Sequence, residues 1–289
     1  MVEGTGAYLV TILTVDGDKY TFDGKTPLRI VSGTAMPEAR ITNSAKPLQN
    51  YSYVEYRSFA PRKLAVIVQI AGGNNRSVWA VRQKLIRVFN PLRGPFTFIL
   101  SYPNKNELYY AYDVLLTEPM DCPLNTKGDA RYAEFPLALT AYDPFWYGIT
   151  NTDTITATLD GAATAEDFNL AIGTAYAKPV ITFTGPMADP ILTNTIWSGL
   201  TPFKLHVLGY IASGETVVVD TRHLTVTRTG SVLGAALSYD STMNSFGLIP
   251  PALGALGINH LSFEADSGSI YDPATGTVTI VWQDTYYAL

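Results

Sequence analysis

The sequence predicts a mainly β protein: an antiparallel β-sandwich carrying one α-helix, followed by a second antiparallel β-sandwich. Three observations lead there. Residues 75 to 95, NRSVWAVRQKLIRVFNPLRGP, are the one long stretch with a helical period. Almost everything else reads as short β runs separated by Gly, Pro, Asn and Asp. The charge balance also changes sharply near residue 148.

The helix is expected over residues 75–89. Val78, Val81, Leu85, Val88 and Phe89 share one stripe of the wheel, and Arg76, Lys84 and Arg87 lie opposite. Asn75 suits an N-cap, where its side-chain oxygen accepts from a free backbone N–H of the first turn. Pro91 cannot continue the helix and pushes Asn90 out of the α region. Arg93-Gly94-Pro95 then turns the chain into a strand from Phe96.

Before the helix, Ala7 to Val15 alternates, and Asp16-Gly17 turns it into Tyr20-Thr21-Phe22. Leu28 to Val31 is a further strand, residues 33 to 50 read as a long polar loop, and Tyr51–Phe59 and Lys63–Ile70 are strands again. After the helix come Phe96–Tyr102, a tyrosine strand Leu108–Thr117, a loop holding Cys122, and Arg131–Tyr142 stopped by Asp143-Pro144. The aromatic cluster Phe145 to Gly148 is expected at an interdomain contact. The second half offers strands at Thr154–Leu159, Val180–Thr184, Phe203–Leu208, Glu215–Val219 continuing to Thr227, Leu261–Ala265 and Thr277–Trp282.

Residues 1–148 carry 16 Lys/Arg against 13 Asp/Glu, whereas residues 149–289 carry 4 against 12. That step marks the expected boundary between an N-terminal domain, 1–148, and a C-terminal domain, 149–289. The acidic second half is a poor nucleic-acid reader, and no apolar run reaches the roughly 18 to 20 residues of a membrane span. A lone Cys122 gives neither a disulfide framework nor a thiolate metal site. The opening MVEGTGAYLV lacks the pattern of a secretory signal.

Motifs of catalysis are not found. The sequence holds no G-x-S-x-G elbow, zinc helix or P-loop, and Gly4-Thr5-Gly6-Ala7 lacks a third glycine. His206, His223 and His260 are isolated, and Asp220 with His223 faces the same way only if a turn separates them. Asp143, Asp220 and Glu264 are the carboxylates open to a glycosidase reading, since such groups need only meet in space. No catalytic, cofactor or metal residue is assigned.

One set of motifs resembles a known family. Phe89-Asn90-Pro91-Leu92-Arg93-Gly94-Pro95 closing an Arg-bearing helix, and Leu139-Thr140-Ala141-Tyr142-Asp143-Pro144-Phe145-Trp146-Tyr147, are similar to the distal tail protein (Dit) of long non-contractile-tailed bacteriophages. Val217–Thr221, Gly257–Phe263 and Gly276–Trp282 extend the likeness through the second half. The family-motif residues are Asn90, Pro91, Gly94, Pro95, Tyr142, Asp143, Pro144 and Trp146. The resemblance implies a tail-tube-like N-terminal β-sandwich and a galectin-like C-terminal one. It further implies a hexameric ring at the distal tail tip of the virion, made in the host cytoplasm. That ring joins the tail tube protein to the tail-tip hub and receptor-binding or baseplate proteins and leaves a channel for DNA. Arg82, Arg87, Tyr109, Tyr110 and Tyr112 are the candidate interface residues. The chain has no long insertion of the kind that carries carbohydrate-binding modules in some relatives. Two other classes remain: a lectin using Trp197 or Trp282, and a surface glycosidase.

Overall fold

The computed structural model describes residues 8–22, 28–45, 52–71, 75–102, 105–118, 120, 132–156, 164–169, 173–195, 203–229, 237, 258–266 and 276–289. It is mainly β, and its strand pairings are antiparallel. The chain divides into two compact units, residues 1–148 with 286–289, and residues 149–285. The last four residues, which the sequence reading gives to the second half, thus lie in the first unit.

The first unit opens with β1 (Leu9–Thr14), β2 (Lys19–Phe22) and β3 (Leu28–Ser32). Next come β4 (Ala39–Ala45), β5 (Ser52–Phe59), β6 (Arg62–Ala71) and α1 (Asn75–Val88). A short 3-10 turn, Pro91–Arg93, leads to β7 (Phe96–Tyr102), β8 (Glu107–Leu116), β9 (Tyr132–Ala141) and β10 (Trp146–Thr156), which runs on into the second unit. Strands β2–β1–β7–β8 form one layer, and β8–β9–β6–β3 form the other. β8 belongs to both because its register slips between its pairs with Phe96 and Phe98, beside Asp113 at φ 53. The extra residue of a bulge bends the strand from one layer into the next.

Alternation places Val10 and Ile12, Phe96, Phe98 and Leu100, Leu64 to Ile70 on even positions, and Phe135, Leu137 and Leu139 inside one core. The helix stripe joins them as expected: Val78, Leu85, Val88 and Phe89 are buried and Val81 packs at the edge. Asn90, Pro91 and Gly94 do what their chemistry allows. The Asn90 side chain accepts from the Leu92 N–H (3.0 Å), Pro91 begins the 3-10 turn, and Gly94 sits at φ +89. The helix begins at Asn75 itself, and the side chain expected to cap it lies outside the described residues, as does Cys122.

The expected loop over residues 33–50 is corrected. β4 occupies Ala39–Ala45 and forms a two-stranded antiparallel hairpin with β5. Its sequence, ARITNSA, has too few apolar residues to show a period of two, so backbone pairing rather than patterning defines it. The strand expected from Thr154 begins instead at Trp146, immediately after the Asp143-Pro144 turn. Trp146 is wholly buried in the first unit's core, its ring 6.2 Å from Phe98.

Arg62 is also buried, at 2% exposure, where β6 begins. Its Nε donates to Pro144 O (2.7 Å), Nη1 to Gly33 O (2.6 Å) and Ala35 O (2.5 Å), and Nη2 to Tyr287 O (2.6 Å). The guanidinium also lies 5.5 Å from the Trp146 ring. Burial lowers its pKa to about 10 against the opposing pull of Asp143, which leaves it charged at neutral pH. The Tyr287 ring packs near Phe59 and Phe145, and the Leu289 N–H bonds Thr34 O (3.0 Å).

The second unit contains β11 (Thr164–Asn169), β12 (Val180–Thr184), β13 (Met187–Thr195), β14 (Phe203–His206) and β15 (Tyr210–Ile211). β16 (Thr216–Asp220), β17 (Thr225–Thr229), β18 (Ile258–Asp266) and β19 (Thr277–Tyr286) complete it. One sheet runs β17–β16–β12–β19 and the other β11–β18–β13–β14, with β15 beside β13. Ile181, Phe183, Val217, Val219, Val278 and Ile280 share a core with Leu192, Leu205, Leu261 and Phe263. The expected continuation from Val219 to Thr227 is broken by a turn at Thr221–Leu224, where Leu224 has φ 55. β16 and β17 are therefore a hairpin.

Two substitutions test the helix assignment. Leu85→Ala should lower unfolding free energy by about 2 to 5 kcal/mol, as for other fully buried leucines. Gln83→Ala on the exposed side should change it by less than roughly 0.5 kcal/mol. Urea titrations giving equal losses would show that the face is misassigned. Arg62→Lys should cost at least about 2 kcal/mol, because one ammonium cannot satisfy every carbonyl the guanidinium holds.

Candidate assembly surface

The first unit carries two apolar surfaces that its core does not absorb. One is the outward face of the β2–β1–β7–β8 layer. Pairing aligns Thr21, Thr11, Ile99 and Tyr110 across the four strands. A second row joins Lys19, Leu13 and Thr97, and a third joins Leu9, Ser101 and Leu108. Leu9, Leu13 and Leu108 stand in solvent at 42%, 37% and 39% exposure. Tyr110 and Tyr112 share this face and stack with their rings 6.0 Å apart and nearly parallel. Tyr147 adds its ring 5.2 Å from Tyr112 and donates its hydroxyl to Asp143 (2.7 Å).

Tyr109 is divided from these two by the period of the strand. It points to the core side, edge-on to Tyr102 (6.1 Å) and Tyr286 (5.3 Å), with its hydroxyl on Glu107 (3.2 Å). Burial first, and the Glu107 carboxylate second, push its pKa up to about 12.

The other surface is the outer side of α1. Trp79 and Ile86, one heptad apart, are 51% and 37% exposed, with half-buried Arg82 and exposed Gln83 between them. Beyond the helix Leu92 is 93% exposed. An open groove of about 560 Å³ continues the patch, lined by Ile86, Phe89, Asn90, Pro91, Leu116 and Met120 among others. α1 contains no acidic residue. Lys84 lies over the Tyr20 ring (4.8 Å), and Arg87 is 3.7 Å from Asp18 in an exposed, weak pair. Arg93 holds the β1–β2 turn through Asp16 and Asp18 (3.1 Å to the latter). Phe89 packs against Phe22 (6.3 Å) and Phe96 (5.6 Å), inward residues of the β2–β1–β7 layer. The layer therefore lies between its own outward face and the solvent face of α1.

The motif residues of the second turn serve the fold. Tyr142 is exposed, Asp143 accepts from the Phe145 N–H (3.2 Å), Pro144 O receives Arg62 and Trp146 is buried. Pro95, with Gly94, leads directly into β7. In the second unit the intervening turn brings His223 Nδ1 to Asp220 (2.7 Å), and the Arg222 and His223 N–H groups bond the same carboxylate (2.9 Å each). Burial raises the Asp220 pKa, but these hydrogen bonds outweigh it and leave a net lowering. The pair reads as a turn closure. Trp282 is 8% exposed within the core, so it offers no open ring to a sugar, while Glu264 is exposed on β18. The side chains of Trp197 and His260 lie outside the described residues. Among the described residues no cluster of His, Cys, Asp and Glu could hold a metal ion, and no helix is long and apolar enough to cross a membrane.

No family model matches the sequence, and a search of curated proteins finds no match. Two antiparallel sandwiches in succession along the chain, the first with one helix among the described residues, define a Dit-like fold. The solved structure that shows this is SPP1 Dit (gp 19.1), described as a paradigm of the hub adsorption apparatus in phages infecting Gram-positive bacteria. The TM-score is 0.57 at 16% identity, over 96% of this chain and 98% of that one. The phage P2 baseplate in its activated conformation with calcium is also similar, at TM-score 0.47 and 9% identity over 95% and 98%.

Tyr109 provides a pH test. Its raised pKa gives stability that is complete below the ordinary tyrosine value of 10 and is lost as pH climbs from 10 through about 12. Thermal melts at pH 9 and pH 11 should show a larger loss for the native protein than for Tyr109→Phe. Equal losses would mean the phenol titrates normally.

Proposed function

We propose that this chain is a non-catalytic structural protein of a phage tail tip, forming a hexameric ring between the tail tube and the hub or receptor-binding proteins. The observation that carries the reading is agreement of fold along nearly the whole length of both chains with a phage hub protein. Two further features support it. The first unit leaves large apolar side chains in water on a sheet face and on a helix, as assembly surfaces do. The second half has a net charge of −8, from 4 Lys/Arg and 12 Asp/Glu, which suits a unit that stays solvated. On this reading the first unit holds the ring and the second unit, residues 149–285 and galectin-like in fold, projects toward baseplate partners. The ring encloses a channel wide enough for DNA and needs no cofactor.

Native mass spectrometry and electron microscopy of the purified protein test the proposal. Hexamers, or trimers that pair into six, are the expected species. A protein that stays monomeric at high concentration and with tail-tube and hub partners added would overturn it, and specific glycan binding by that monomer would favour a lectin.

A further inference from the structure

We infer that the two apolar surfaces of the first unit are the two halves of one interface: the outer side of α1 on one copy seats on the outward β2–β1–β7–β8 face of the next. The inference rests on the ring reading and deepens it by naming the surfaces that meet.

Geometry supports the pairing. A two-fold dimer needs one patch that complements itself, whereas a head-to-tail ring needs two different patches on different sides of each copy. The first unit supplies that arrangement, because the layer lies between its own outward face and the helix that packs behind it. The extents agree as well. A helix of 14 residues is about 21 Å long at 1.5 Å per residue, and four strands span roughly 19 Å at about 4.8 Å each.

Charge and chemistry fit the same assignment. α1 presents Arg82, Lys84 and Arg87 and no acid. On β8, Asp113 stands exposed at the bulge directly after the stacked Tyr110 and Tyr112. An exposed carboxylate beside a tyrosine pair complements the Arg82 that lies between Trp79 and Ile86, and arginine stacks well on tyrosine. Aromatic and Arg side chains of this kind are the usual anchors of protein interfaces.

Mixing two disabled variants tests the pairing. One carries Trp79→Asp and Ile86→Asp on the helix; the other carries Leu9→Asp and Leu13→Asp on the sheet. All four positions are exposed, and circular dichroism melts confirm folding; if either variant melts early, Trp79→Gln and Leu13→Gln replace them. Each variant alone should be monomeric at concentrations where the native chain is a ring, with self-association weakened at least 100-fold. A one-to-one mixture should give a dimer and nothing larger, because each pair retains one intact helix face and one intact sheet face. Variants that still form rings would overturn the pairing and leave the ring reading standing. Disabled variants that give no dimer on mixing would also overturn it. A native chain that never self-associates would sink both.

Discussion

Arg62 is the constraint on which the first unit depends. A buried cation costs several kcal/mol unless its protons are satisfied, and here they go to backbone carbonyls rather than to a carboxylate. Those carbonyls come from the segment after β3, the turn before β10 and the segment after β19. One guanidinium therefore ties together three stretches of chain that lie far apart in the sequence. Gly33 shows how closely they approach: at φ +109 it occupies a conformation that L side chains rarely adopt, and a Cβ there would meet the Lys63 carbonyl. The same node explains why residues 286–289 belong with the first unit.

Legibility in the sequence followed the range of each interaction. The helix was plain because Val78, Leu85, Val88 and Phe89 repeat at its own period, and its exit was plain because Asn90, Pro91 and Gly94 each have a conformational reason to stand where they do. Arg62 was not, since its partners lie from 27 to 225 residues away and an Arg beginning a strand looks like any solvated edge. β4 was hidden because a hairpin that pairs only with its neighbour needs no apolar face. The tyrosines of β8 hold a third lesson. Tyr110 and Tyr112 share a face and Tyr109 does not, and a period of two states as much without coordinates. What the sequence could not supply was which face meets the core.

That last distinction decides what the exposed residues mean. A lone leucine in water needs no explanation, but Leu9 and Leu13 on β1 and Leu108 on β8 occupy one solvent face, on either side of β7, together with two tyrosines. Trp79 and Ile86 similarly keep an apolar line on a helix that already buries its opposite side. In each case the core is complete without them, so intramolecular packing does not account for their composition.

The second unit makes the contrast sharper. The outward face of its β17–β16–β12–β19 sheet places Thr229, Thr216, Thr184 and Thr277 in one row across four strands. The next row holds Thr227, Val218, Thr182 and Thr279. Threonine keeps the β-branched shape that a pleated surface favours while leaving a hydroxyl for water, so in these two rows the sheet satisfies its strand propensity largely without apolar side chains. Strand residues in the first unit meet the same propensity with Leu, Ile and Tyr. Both sheets are equally able to fold, and they differ in what their solvent faces lose by staying wet. That difference in composition, rather than any catalytic group, is what the proposed assembly through the first unit rests on.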